Sequence, residues 1–305
     1  MGSNPLVGEV ISGCFETEIL PLATKIQGSN IFCYIDPFGV KVLDSSILDR
    51  FLGLKFDTVE MFINFNSFGF FRWACAYERI QIDRETNMKY SDFDDEEPAV
   101  DATEESLNSV LGSSDWKAVI AEYNRTKDND KDAGKKAVDS IAFLYRRLLK
   151  KKFKYVLNIR ISVRKSEKAE YHMFFVTQHK DGAILMGDSM GKRECSMKRL
   201  RQGNQPELFE FEPVEDKNDP FKVIDDVLDI MRKAEIKKIR LRNFEAIAYT
   251  YMKRYISESD IKSYLKDLEK EGRIKVERSP ENTPSTGKKS AFWDDCKGKA
   301  LWIVL

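Results

Sequence analysis

Apolar positions along this chain change period from two to about 3.6 and back, and each change marks an element. Ile31 to Ile35 is a short β-branched and aromatic run of the kind that fills a buried strand. It runs into Asp36, Pro37, Phe38 and Gly39, and a Pro-Phe-Gly sequence cannot continue a central ladder, so the strand stops at Asp36. Upstream, Leu6 to Ser12 reads as a strand and Glu16 to Ile26 as a helix interrupted or bounded by Pro21. Downstream, Ile47, Leu48, Phe51 and Leu52 share one helical face within Ser45 to Leu54, and TVEMFINFN (58–66) is a second buried strand ending in two asparagines. Strand, helix, strand, helix, strand predicts parallel neighbours in a layered α/β sheet.

After Asn66 the pattern loosens. NSFGFFRWACAYERI is aromatic-rich, and SDFDDEEPAVDATEE is expected to be an exposed loop. Trp116 to Tyr123 reads as helix. A long helix is predicted over Gly134 to Lys152, with Ile141, Leu144, Tyr145, Leu148 and Leu149 as its buried stripe and RRLLKKKFK at the end where cations suit the dipole. The runs at 155–164 and 171–179, joined by KSEKAE, predict a β-hairpin. Ala183 to Met190 begins or supports another helix, ahead of a loop containing QGNQPELFEFEP.

Near the end, DPFKVIDDVLDIMRKAEIKKIRLRNFEAIAYTYM suggests two helices. A Ser-capped helix then stops at Gly272, a strand follows, and KALWIVL closes the chain after a long loop. Helix, helix and a long-looped hairpin resemble a winged helix-turn-helix domain. In that reading Ser259 to Glu271 is the recognition helix, presenting Lys262, Lys266 and Lys270 with Arg273 beyond its end. Lys288, Lys289, Lys297 and Lys299 decorate the wing. The expected organisation is an α/β domain over 1–200, a linker over 201–219 and the winged helix over 220–305.

Charge refines this picture. Fifty Lys and Arg balance fifty Asp and Glu, yet Ile82 to Glu105 holds ten acids against two bases, and Arg146 to Lys154 holds six bases in nine residues. From Ile236 onward sixteen Lys and Arg face ten acids, a surplus that favours phosphate contacts. Against that, Asp260, Asp267, Glu269 and Glu271 mix acids into the recognition helix, and winged helices also dock proteins, so a DNA or RNA partner and a protein partner both stay open. Cys14, Cys33, Cys75, Cys195 and Cys296 lack CxxC spacing, which argues against a zinc ribbon or a disulfide framework. No apolar segment approaches the roughly eighteen residues of a membrane helix, and no signal-peptide pattern opens the chain, so a cytoplasmic protein without a membrane partner is expected.

Candidate chemistry clusters where strands end. In an open α/β sheet ligands bind outside the carboxyl ends of the strands, which singles out Asp36; the same residue could cap the helix that follows. Asn64 and Asn66 share a face and suit hydrogen bonding in a crevice, or they satisfy loop backbone. His172 and His179, seven apart, point to opposite faces of a regular strand, which disfavours a joint metal site. His179, near a loop, is the better candidate. Met186 and Met190, at i and i+4, read as core filling.

Taken together, YIDPFG, FINFN and YHMFFVTQHKDGAILMGDSM resemble the three-Cys-motif partner protein family, methyltransferase-like proteins found beside radical-type three-Cys-motif proteins. That family's pattern of His, six residues, His, two, Gly, three, Met, three, Met is matched by His172, His179, Gly182, Met186 and Met190, and the resemblance spans Leu6 to Met190. It implies a partial Rossmann-like, class I methyltransferase sheet: residues 31–36 as the fourth strand, 58–66 as the fifth, and the hairpin as an antiparallel sixth and seventh pair. It further implies an active crevice at Asp36, Pro37, Phe38 and Gly39, lined by Asn64, Asn66 and His179. S-adenosylmethionine is the implied cofactor, a three-Cys-motif protein an implied partner, and a mobile-element or phage-defence locus the implied setting. No glycine-rich donor loop is found in this sequence, nor an assignable acid after a second strand. The sheet is therefore expected to lack its first strands and to present an edge open to a completing chain.

Overall fold

A computed structural model of the chain describes residues 13, 15–36, 44–83, 86, 103–161, 171–202, 219–296 and 298–305. It is a mixed α/β protein with a mixed four-stranded sheet and a small antiparallel one. Two compact units emerge, one formed by 1–31, 36–59 and 65–145, the other by 32–35, 60–64 and 146–305.

The elements of the first half begin with α1 (Phe15–Lys25), which runs through Pro21, and β1 (Asn30–Ile35). Next come α2 (Ser45–Leu52), β2 (Thr58–Phe65) and α3 (Ser67–Tyr77). Then follow α4 (Glu104–Leu111), α5 (Trp116–Thr126) and α6 (Ala133–Lys152). Asp44 starts α2 by accepting the Ser46 N–H at 2.7 Å.

In the first unit the aromatic stretch after Asn66 forms α3, with Phe68, Phe70, Phe71, Trp73, Ala74 and Cys75 all buried. Phe71 meets Tyr123 edge-on at 4.8 Å between ring centres, and Phe65 stacks on Tyr145 at 4.2 Å. Trp116 Nε1 donates to Asn108 at 2.8 Å, and the Tyr123 hydroxyl donates to Asp83 at 2.8 Å. The predicted stripe of the long helix is buried throughout. Of the acidic stretch, 91–102 lies outside the described residues, and Glu104 and Glu105 open α4 behind a Thr103–Ser106 capping box, where acids suit the dipole.

The second unit holds the bodies of β1 and β2, then β3 (Tyr155–Ile161), β4 (Tyr171–Thr177) and α7 (Lys180–Gln202). The sheet order is β1-β2-β4-β3, with β3 and β4 antiparallel from Tyr155 opposite Thr177 to Ile161 opposite Tyr171. The hairpin prediction holds; its turn, the first expected strand (6–12) and the loop at 203–218 lie outside the described residues. After α8 (Pro220–Lys233), a three-residue strand unforeseen in the sequence, β5 (Lys238–Arg240), leads into α9 (Leu241–Tyr251). Then α10 (Glu258–Lys270), β6 (Lys275–Ser279) and β7 (Ala300–Val304) complete the chain, and the last strand lies between the other two as β5-β7-β6.

One buried core runs from Leu157 and Phe175 of the larger sheet through Ile224, Phe244, Tyr249 and Leu265 to Leu301 and Ile303. The joint is tight because α7 is glycine-notched: a Cβ on Gly187 would overlap the Tyr249 ring, and one on Gly191 would overlap the backbone of Ile256. Among the described residues no helix is long and apolar enough to cross a membrane.

Candidate functional site

The carboxyl ends of β1 and β2 carry the residues singled out in the sequence. Asp36 follows β1 and is exposed; Pro37, Phe38 and Gly39 lie outside the described residues. Asn64 sits half-buried on β2. Asn66 plays a structural part, since its Oδ1 accepts the Gly69 N–H at 2.7 Å and caps α3. The backbone-satisfying alternative thus describes Asn66.

His179 stands at the entrance of α7. Its own N–H donates to Thr177 Oγ1 at 2.9 Å, and its Nδ1 accepts the Asp181 N–H at 3.4 Å. The ring is well exposed and lies 3.5 Å from an Asp181 carboxylate oxygen. His172, by contrast, is buried within β4. Among the described residues no group of three or more His, Cys, Asp or Glu is placed to hold a metal ion.

Beside His179 the structure adds a residue that sequence reasoning passed over. Glu60, the one charged residue of β2, lies with Oε1 3.4 Å from the hydroxyl of buried Thr177. A Cβ on Gly182 would overlap that same carboxylate oxygen, so the first turn of α7 is open to an acid because residue 182 lacks a side chain. The one charged residue of a mostly apolar strand was the available clue. Met186 and Met190, the other members of the spaced pattern, are half-buried and pack on the core.

A second feature also went unforeseen. Lys180 and Asp181 of α7, Arg240, Arg242 of α9, and Asp295 and Cys296 line a cavity of about 380 Å³. Arg242 Nε donates to Asp181 at 2.7 Å, and Arg240 grips buried Asp295 through Nε at 3.1 Å and through Nη2. Both cavity acids are thereby matched to a guanidinium.

The cations assigned to a nucleic-acid face divide into two groups. Lys262 is mostly buried and pairs with Glu258 at 2.6 Å and Asp294 at 3.1 Å. Lys270 pairs with Asp267 at 2.8 Å, and Arg273 with Asp225 at 3.0 Å. Lys266, Lys288 and Lys289 are exposed, and none of them forms an ion pair among the described residues. Lys288 and Lys289 project from the β6–β7 loop, which is held by Thr283 N–H donating to Lys288 O at 2.8 Å and by an antiparallel bridge between Asn282 and Lys289. Lys299 lies 5.4 Å from the Phe292 ring centre, and Lys297 is outside the described residues.

Of the cysteines, Cys33, Cys75, Cys195 and Cys296 are free thiols, and Cys14 lies outside the described residues. Burial pushes the Cys33 thiol up to about 11 and the Cys75 thiol up to about 12. No family model, curated protein or solved structure matches the chain.

Proposed function

We propose that the C-terminal segment is a winged helix-turn-helix module that binds nucleic acid, mounted on a methyltransferase-like sheet. The observation that carries this reading is the order α8, β5, α9, α10, β6, β7 with β7 between β5 and β6, which leaves a long loop projecting from a two-strand hairpin. That loop carries Lys288 and Lys289 with their charges uncommitted, as phosphate contacts require. α10 contributes Lys266, while its remaining cations serve ion pairs within the protein. Contacts of this kind bind backbone and read little sequence. Gel-shift titration of the protein with labelled duplex DNA and RNA tests the reading: Lys288→Ala with Lys289→Ala is expected to weaken binding, and equal affinity of the double variant contradicts it.

A second reading is favoured by the larger sheet. Its final antiparallel pair fits the sixth and seventh strands that resemblance to three-Cys-motif partner proteins implies, and β1 ends at exposed Asp36 as their fourth strand would. On this reading Asp36, Asn64 and His179 are the residues that the resemblance implies for S-adenosylmethionine, with a three-Cys-motif protein or a completing chain as partner and a mobile-element or phage-defence locus as setting. Calorimetric titration of S-adenosylmethionine distinguishes the readings: heat of binding, lost in Asp36→Ala, supports an enzyme, and no heat leaves the binding module.

A further inference from the structure

Glu245 is the anomaly of the second unit. It sits on α9 with no exposed surface, and neither carboxylate oxygen has a hydrogen-bond partner among the described residues. A buried ionised carboxylate without partners costs far more than one nearby cation repays, so such a group is protonated or re-partnered. Its surroundings are mixed in sign. From α10 come Glu258 and Lys262, from the segment before β7 comes Asp295, and from α9 itself come Arg242 and Tyr249.

The cations near it are already engaged. Arg242 donates to Asp181 of α7 and lies 3.8 Å from Glu258; Lys262 holds Glu258 and Asp294; Arg240 of β5 holds Asp295. Glu258 is itself fixed to α7, its N–H donating to Asp188 Oδ1 at 2.8 Å. Every acid around Glu245 is thus compensated, and Glu245 is left over.

We propose that Glu245 is a proton-dependent latch: in its neutral form it lets α9, α10 and the segment before β7 pack together, and its ionisation loosens them. Burial raises the Glu245 carboxyl to about 8, and repulsion from Glu258 acts in the same direction, against the weaker pull of Lys262 and Arg242. The sign is fixed by linkage. Between its ordinary value and its raised one the folded state binds the proton that the unfolded chain has released. Stability from this group is therefore complete at acid pH and is lost as pH rises through about 8. On ionisation the cation best placed to answer is Lys262, which would then leave Asp294. The α10 end and the segment at 294–296 are the parts that loosen.

The test compares the full chain with Glu245→Gln, which keeps the shape and removes the charge. Between pH 6.5 and 9.5 the wild-type melting temperature is expected to fall by roughly 5 °C more than that of the variant. Amide exchange, corrected for its intrinsic pH dependence, should accelerate in α10 and 294–296 of the wild type only. Parallel melting curves overturn the latch. Should Glu245→Gln fail to fold, the carboxyl carbon resonance of Glu245 in the wild type decides: titration near 8 supports the proposal, and titration at an ordinary glutamate value overturns it.

Discussion

Gly182 and Glu60 fit one another: the carboxylate of Glu60 occupies the space that a Cβ on Gly182 would need, against the first turn of α7. The same helix repeats this device at Gly187 against Tyr249 and at Gly191 against Ile256, so its glycines set how closely β2, α9 and the start of α10 approach. The stretch that carries the spaced His, Gly and Met pattern therefore has packing duties at its glycines.

Alanine scanning of these glycines should give graded losses. At Gly182 the obstacle is the flexible end of Glu60, so Gly182→Ala is expected to cost within about 1 kcal/mol, partly offset by the helix propensity of alanine. At Gly191 the obstacle is the backbone of Ile256, and Gly191→Ala should cost about 3 kcal/mol or more. Urea denaturation reads both, and equal effects contradict the account.

Asn66 should behave as a cap. Asn66→Ala is expected to lose about 1 kcal/mol, while Asn66→Asp, which keeps the acceptor for the Gly69 N–H, should stay close to wild type. If Asn66→Ala melts like wild type, capping is not its role.

Thiol labelling should split the cysteines. With burial holding the Cys33 and Cys75 thiols up to about 11 and about 12, both remain protonated at pH 8, whereas Cys195 and Cys296 are exposed. Peptide mapping after brief alkylation should find Cys195 and Cys296 modified, and Cys33 and Cys75 modified only in denaturant. Early labelling of Cys75 would contradict its burial in α3.

Lys262 is expected to act on stability first. Its ammonium joins Glu258 to Asp294, so Lys262→Ala removes the tie between α10 and the segment before β7 and should cost about 1 kcal/mol in a melt. Lys270→Ala, whose pair with Asp267 is exposed and screened by solvent, should melt like wild type.

Long periodic elements were legible in the sequence because burial leaves a regular trace. The stripe Ile141, Leu144, Tyr145, Leu148, Leu149 marked α6, and two apolar-rich runs joined by a polar turn marked the β3–β4 hairpin. α3 escaped because a helix buried nearly all round has no amphipathic period. α4 escaped because its acids, which read as a solvated loop, serve a helix start. β5, only three residues long, is defined by pairing with β7 some sixty residues away. For the site, Asp36 and His179 could be located as strand-end residues. Glu60 against Gly182, the partnering of Lys262, Lys270 and Arg273, and the isolation of Glu245 depend on neighbours distant in the chain. The core that joins Phe175 to Ile303 depends in the same way on neighbours distant in the chain.

The salt dependence of duplex binding decides whether the wing contacts phosphates. Anisotropy titrations of wild type and the Lys288→Ala, Lys289→Ala variant across a range of salt give the slope of log K against log salt. If both lysines contact phosphates, the wild-type slope should be steeper by about 2. Identical slopes, or no binding by the wild type at low salt, would contradict a nucleic-acid role for the wing.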